Sequence, residues 1–284
     1  MDTEQARTFL HVVAAGNFLG AAQKLHITQS TVSARIQALE NQLGARLFSR
    51  GKHGAELTAA GQRFLRHAQA LVRTVEIARQ DVGLPEGYSA GLTLSGRIAL
   101  WEGFLPRWVA WMRKAAPTIS LRLEIGFEAD IMQGLIEGTV DIGVMYTPTS
   151  RPGLVVEPLF DETLLLITSD LKRGWPDEGY IHIDWGPEFH AQFSDHHPDA
   201  PPPTLVANIG WLGVQQLLTY GGSGYFPQRL VRRYLDAGQL WHVPDSPQFR
   251  LPAYMVFPRD SDSGTLKSAL DGLRTLAVEE QTRT

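Results

Sequence analysis

The chain has no cysteine among its 284 residues. Disulfides, thiolate zinc sites, iron–sulfur clusters and cysteine nucleophiles are therefore excluded by composition alone. Long apolar runs are missing as well. The nearest approach, Leu100 to Met112, is broken by Glu102, Pro106 and Arg107, whereas a bilayer-crossing helix needs about 20 predominantly apolar residues. The first thirty residues carry acids near their start and lack both a basic opening and an uninterrupted apolar stretch. No export signal is expected, and the protein is read as cytoplasmic with no membrane partner. Hydrophobic residues at 43% against charged residues at 20% suit a folded chain with a sizeable core and not a disordered one.

The net charge of −4 conceals an asymmetry. Residues 1–84 hold ten Lys/Arg against six Asp/Glu, and the remainder holds sixteen against twenty-four. A basic head on an acidic body points the head toward a polyanion, because phosphate neutralisation supplies much of the affinity of proteins for DNA.

Within the head, Ala6, Phe9, Leu10 and Val13 recur at helical spacing until Gly16-Asn17 stops them. Asn17 can cap a second helix with Phe18, Ala21, Ala22 and Leu25 on its inner face. Thr28 can cap a third, whose stripe is Val32, Ile36, Leu39 and Leu43, ended by Gly44. Two short extended pieces, Leu47 to Ser49 and Glu56-Leu57, flank the basic, glycine-rich loop Arg50 to Gly54, as in a hairpin tip. Thr58 then opens a long helix with Leu65, Ala68, Val72, Val75 and Val82 near heptad spacing, a pattern that predicts pairing of two copies. Gly83, Pro85 and Gly87 make a linker. From Leu92 onward, strands at Leu92–Ser95, Ser120–Gly126 and Asp141–Met145 alternate with helices at Pro106–Ala115 and Ile131–Glu137, which predicts a parallel sheet. Further strands are expected at Val155–Leu159, Thr163–Thr168, Tyr180–Ile183 and Leu205–Ala207, and a helix at Trp211–Thr219.

A helix that reads a major groove needs slim polar side chains outside and an apolar face locked to a support. The third helix has that division, with Ser30, Ala34, Gln37 and Asn41 opposite its stripe and Ser33 at one flank. Every surface helix shows such a division, so the context carries the inference: a trihelical unit, a basic hairpin, a long helix and an acidic body occur in order. Gln29 suits adenine edges, Ser30 and Ser33 suit bases or phosphates, and Arg35 suits a phosphate. Thr28, Thr31 and Gln37 complete the expected DNA-binding set, with Arg50, Lys52 and His53 from the hairpin reaching backbone or minor groove.

The run Phe9 to Leu65 resembles the N-terminal domain of LysR-type transcriptional regulators almost without gaps. Its specific elements are Phe18, Ala21-Ala22, Leu25, Thr28-Gln29, Val32-Ser33, Ile36, Leu39-Glu40, Leu43-Gly44, Leu47-Phe48, Arg50, Leu57-Thr58 and Gly61. Ala34 departs from the family, which commonly has Arg there. Phe104-Leu105-Pro106, Gly138 to Asp141 and Gly222 to Pro227 extend the resemblance through the body, and Ala99 to Glu102 with Asp184 to Phe189 resemble its HdfR-like branch.

The resemblance implies an α/β protein overall: a winged helix-turn-helix over 1–58, a linker and dimerisation helix over 59–90, and an effector-binding domain over 91–284. That last domain would be periplasmic-binding-protein-like, with one α/β subdomain at about 91–162 and 260–284 and another at about 163–259. The partners implied are double-stranded DNA, a small-molecule effector, and further copies of the chain as a homodimer or homotetramer. The effector would lie between the subdomains, against Ile98, Ala99, Trp101, Glu102, Phe127, Glu128, Tyr146, Thr147, Asn208, Trp211, Gly222 and Tyr225. Trp101 with Glu102 and Glu128 would suit an amine-bearing ligand.

No cofactor or metal is expected. Gly87-Tyr88-Ser89-Ala90-Gly91 matches a nucleophile-elbow pattern but comes after a helix and precedes a strand, the reverse of what that turn requires. His182, Asp184, Glu188, His190, His196 and His197 crowd a stretch read as loop, with no defined ligand spacing. Gly221 to Gly224 lacks the Lys-Ser/Thr ending of a phosphate loop. An enzyme with an accessory helical domain and a solute-binding protein are the rival classes; the first lacks a catalytic constellation, and the second has no use for the head.

Overall fold

The computed structural model describes residues 2–51, 54–200, 202–259 and 264–282, and of Arg50, Gly51 and Arg173 the backbone only. The head opens with α1 (Thr3–Ala15), where Asp2 accepts from the Gln5 amide at 2.7 Å and the Gln5 side chain returns to the Asp2 amide at 3.2 Å. This reciprocal box satisfies two otherwise orphaned donors. Gly16 ends α1 at φ 69°, and Asn17 caps α2 (Phe18–Leu25). Thr28 caps α3 (Gln29–Leu43), which Gly44 ends at φ 65°.

The hairpin of β1 (Phe48–Gly51) and β2 (Gly54–Leu57) pairs Phe48 with Leu57. It is fastened at both ends. Glu40 of α3 accepts from the Leu47 amide at 2.6 Å, and the Ala55 amide donates to the Gly16 carbonyl at 2.8 Å. A side chain on Gly54 would strike that same Gly16 carbonyl, so the close approach requires glycine.

Thr58 caps α4 (Ala59–Val82). Phe9 joins α1 to both the hairpin and this long helix, its ring 5.1 Å from that of Phe48 and 5.0 Å from that of Phe64. Of the heptad-like stripe of α4, Leu65, Ala68 and Val72 are buried within the protomer, against α1 and the body, Val75 is half-buried, and Val82 is exposed, as is Ile77.

The body contains β3 (Ala90–Gly96), a 3-10 turn (Ile98–Trp101), α5 (Leu105–Ala115), β4 (Ile119–Ile125), α6 (Glu128–Glu137) and β5 (Ile142–Met145). Next come β6 (Leu154–Thr168), β7 (Ile181–Ile183), α7 (Pro187–His196), β8 (Leu205–Ala207) and α8 (Gly210–Tyr220). The chain closes with β9 (Ser223–Pro227), α9 (Gln228–Asp236), β10 (Trp241–His242), β11 (Phe249–Pro258) and α10 (Gly264–Gln281). The main sheet runs β10-β6-β11-β5-β3-β4, with β9 also on β6.

The parallel sheet expected from β3, β4 and β5 holds for those strands, in the order β4-β3-β5, while the long strands β6 and β11 are antiparallel to each other and β11 is antiparallel to β5. Two other expectations do not hold. The two strands expected at 155–159 and 163–168 are one, since of the polar residues between them Glu162 is satisfied inside the fold and Asp161 pairs at the surface with Arg250. The histidine-rich loop is largely the helix α7, started by Pro187 in its first turn.

Tyr180, Phe189, Phe193, His197, Tyr225 and Phe249 form an aromatic cluster beneath α7. His182 stacks on His190 at 4.7 Å, and Trp175 donates its indole N–H to His197 Nδ1 at 3.2 Å. Burial, then the neighbouring His190, lowers the pKa of His182, with Asp184 opposing; burial, then His196, lowers that of His197. Unfolded imidazoles take up protons near pH 6.5, and these two only at lower pH once folded, so the folded state is favoured above pH 6.5 and loses that advantage as pH falls below it. The melting temperature is expected to fall on acidification from pH 6.5, and His182→Gln to flatten the decline. An unchanged slope would remove His182 from this role.

Candidate DNA-binding face and effector cleft

On α3, Val32, Ile36 and Leu39 are buried against α1 and α2, which turns Gln29, Ser30, Ser33, Ala34, Gln37 and Asn41 outward. Between this face and the hairpin runs a concave groove of about 810 Å³, with Gln29, Ser33, Gln37 and Asn41 on one wall and Phe48, Ser49 and Ala55 on the other.

Four of the expected contact residues are engaged locally. Thr28 Oγ1 caps Thr31 N at 3.2 Å and lies 2.8 Å from both the Ser30 and Thr31 hydroxyls. Arg35 turns back onto α1, 3.3 Å from Glu4 Oε2 and 3.3 Å from Thr8 Oγ1. A phosphate would have to draw it away from both. Lys52 and His53 lie outside the described residues. A cation not singled out in the sequence, Arg46, lines the groove, and its side chain has no partner among the described residues. Its position between Gly44 and the hairpin was the available signal.

In the body, β3 lies between β4 and β5, so the sheet order reverses there, and ligands of α/β sheets sit beyond the strand ends at such a point. Arg97 comes directly after β3 and is 6% exposed. It meets Glu128 at 3.2 Å at the start of α6, lies 4.8 Å from the Phe127 ring, and donates across the cleft to the Asn208 carbonyl at 3.3 Å. Glu128 is thereby partly neutralised. The indole N–H of Trp101 is buried and makes no hydrogen bond, while the Glu102 carboxylate has no partner among the described residues. Trp211 and Phe127 stand 42% exposed at the mouth.

Tyr146 is buried at the end of β5 and donates to Glu162 Oε1 of β6 at 2.9 Å. Arg229 of α9 joins the same carboxylate and also donates to the carbonyls of Ala99, at 3.1 Å, and Glu102. Burial, together with Glu162, pushes the Tyr146 phenol well above its ordinary pKa, so it remains a donor. Burial opposes the Arg229 cation, but Glu162, Tyr146 and Glu280 outweigh it. This node ties α9, β6 and the 3-10 turn behind the cleft, and nothing in local sequence pattern announces it.

The remaining expected residues separate. Thr147 packs on Gly186. Ile98 is half-buried and Ala99 buried in the 3-10 turn beside α8. Tyr225 is fully buried, one layer back, its carbonyl accepting the indole N–H of Trp185 at 2.8 Å. Trp185 itself packs 6.2 Å from the Tyr146 ring and against Gly210, and so belongs to the wall. Gly222 packs against the Gly179 carbonyl at the far end of β9, away from the cleft. Among the described residues no three metal-binding side chains stand together, and no helix is long and apolar enough to cross a membrane.

A winged-helix head with an exposed polar face on its third helix, joined to an α/β body whose strand order reverses at β3, defines a one-component regulator, in which one chain carries both DNA-reading and ligand-sensing parts. The chain belongs to the LysR family of transcriptional regulators: residues 3–62 match the bacterial regulatory helix-turn-helix protein of the lysR family, and residues 88–277 match the LysR substrate binding domain. It is similar to the HTH-type transcriptional regulator HdfR of Yersinia enterocolitica, 32% identical over 279 residues that cover 94% of each chain. Its fold is similar to full-length LysG from Corynebacterium glutamicum with bound effector Arg, at 24% identity and TM-score 0.62, covering 98% of this chain and 99% of that one. It is also similar to that of ArgP from Mycobacterium tuberculosis, at 23% identity and TM-score 0.57, covering 98% and 97%. The expectation of a regulator rather than an enzyme holds, and so does the HdfR-like assignment.

Proposed function

We propose that this chain acts in the cytoplasm as a homodimer, or a pair of dimers, whose winged heads (1–58) read two half-sites of an approximate palindrome under control of an effector held in the body (91–284). The observation that carries the reading is the free polar face of α3 beside a groove open to the hairpin. Gln29, Ser33 and Gln37 contact base edges, Ser30 and Thr31 the backbone, and Arg35 a phosphate once released from Glu4. The linker over 59–90 offers Ile77 and Val82 to a second copy.

Sequencing of genomic duplex fragments retained by the purified protein tests this. Enrichment of a two-fold symmetric motif supports it, and retention without any motif defeats it. For the hairpin, Arg50→Ala with Lys52→Ala is expected to weaken all duplexes alike and to flatten the slope of log affinity against log salt by about two units, one per lost phosphate contact. An unaltered slope would remove the wing from the interface.

The effector reads as a molecule that carries an amine beside an acceptor: Glu102 and the Trp101 ring meet the cation, and the unsatisfied Trp101 N–H meets the acceptor. The arginine bound by LysG is a ligand of this kind. Cleft binding is the part of a thermal shift that Trp101→Ala removes. Amino acids with cationic side chains are expected to produce it, and if only amine-free carboxylates do, the amine assignment fails.

A further inference from the structure

A second cavity lies in the seam where the head rests on the body. It holds about 320 Å³ between α1 and α2 on one side and α6 with the connection from β5 to β6 on the other. That is the share of roughly ten liquid waters, enough for a small organic molecule.

Its chemistry is divided. Ala14, Ala15, Met132 and Ile136 supply apolar surface. Lys24 of α2 and Arg151 of the β5–β6 connection supply two cations, and neither side chain has an ion-pair or hydrogen-bond partner among the described residues. Arg151 is half-buried. Lys24 is exposed, so an anion seated between the two side chains would meet two cations that no carboxylate of the described residues neutralises. The acid that lines the cavity, Glu128, is already met by Arg97 at 3.2 Å. His11 and Gln133 are also committed, with His11 3.1 Å from Gln133 Nε2 and 3.1 Å from Glu137 Oε1, while Thr149 of the lining is exposed.

We infer that this seam is a second ligand site, which takes a small organic anion with a short apolar tail, its charge between Lys24 and Arg151 and its tail over Met132 and Ile136. A ligand seated there touches head and body together, so it favours the arrangement in which they are docked. The site is independent of the cleft reading. Glu128 is the one residue common to the seam and the cleft surroundings among those described, which gives the two sites a route to influence each other.

The test uses the full-length protein and the sodium salts of acetate, butyrate and hexanoate, with sulfate as a tail-less anion. Calorimetric titration is expected to show affinity that rises about threefold to fourfold per added methylene. Lys24→Ala with Arg151→Ala should weaken hexanoate at least tenfold, with Lys24→Gln/Arg151→Gln as a second pair that retains more of the side-chain packing. Trp101→Ala should leave hexanoate binding intact. Slower amide exchange at Ala14-Ala15 and Met132 should accompany binding. The inference is overturned if hexanoate does not bind, if sulfate binds as well as hexanoate, or if both charge-removed variants bind it normally. Loss of hexanoate binding in Trp101→Ala alone would also overturn it, and would leave the cleft reading standing.

Discussion

Glu162→Ala is expected to lower the folding free energy by about 3–5 kcal/mol, the usual cost of stranding a buried charge. Glu162 is 3% exposed and is the shared acceptor of Tyr146 and Arg229. Without it, the Arg229 guanidinium keeps Glu280 at 3.8 Å and two backbone carbonyls, but no close anion inside the fold. A loss of this size is a large part of the roughly 5–15 kcal/mol that typically separates folded from unfolded chains. Glu162→Gln should recover part of it by restoring an acceptor, and the pair Glu162→Met/Arg229→Met should recover more, because removing both charges removes the stranding. Urea unfolding monitored by tryptophan fluorescence measures all three. A shift in the Glu162→Ala midpoint equivalent to less than about 1 kcal/mol would mean that the node is solvated and its geometry of little consequence.

The second large effect concerns sequence recognition. Gln29→Ala is expected to reduce the ratio of cognate to random-duplex affinity by about tenfold to a hundredfold, since one well-made amide contact to a base edge discriminates by about 1–3 kcal/mol. Arg46→Ala should behave otherwise. Its exposed cation lines the same groove with no partner among the described residues, so its loss should weaken cognate and random duplexes by the same factor and lower the salt slope by about one. Fluorescence anisotropy at three salt concentrations separates the two. If Gln29→Ala left the ratio unchanged and Arg46→Ala altered it, the assignment of reading and anchoring roles would be inverted.

How much could be foreseen from the sequence depends on the range of the forces involved. Asn17, Thr28 and Thr58 cap helices through hydrogen bonds that span three residues, and Gly16 and Gly44 end them through backbone angles of their own. Such signals are complete within a short window. The polar residues inside β6 looked like a break because the partners of Glu162 lie on β5 and α9, far along the chain. Gly138 to Asp141 was recognisable as a family motif, but its purpose was not. Asp141, in the body, accepts from the Thr93 amide at 2.8 Å and meets Arg73 of α4 at 2.9 Å, so it seats the first strand and the long helix together. Burial raises the pKa of that carboxyl, while the Thr93 amide and Arg73 oppose the rise. The apolar stripe of α4 announced that a partner surface was needed but could not say that Leu65, Ala68 and Val72 find theirs within the same protomer. For the cleft, residues adjacent to strand ends were within reach, and Arg97 was missed only because its partners Glu128 and Asn208 lie far along the chain, whereas Trp185 and Arg229 depend on how distant segments fold back.

Ile131, Met132 and Leu135 of α6 belong to the same apolar cluster as Phe9, Val12, Val32 and Val72. Head and body are in this respect not separately wrapped parcels. Severed at the linker, the head would carry a bare oily flank once shielded by α6, and the body would carry the matching one. An evolutionary exchange of heads between such chains therefore has to match two surfaces as well as a reading helix, which makes the seam a constraint on how readily a new operator preference can be acquired by recombination.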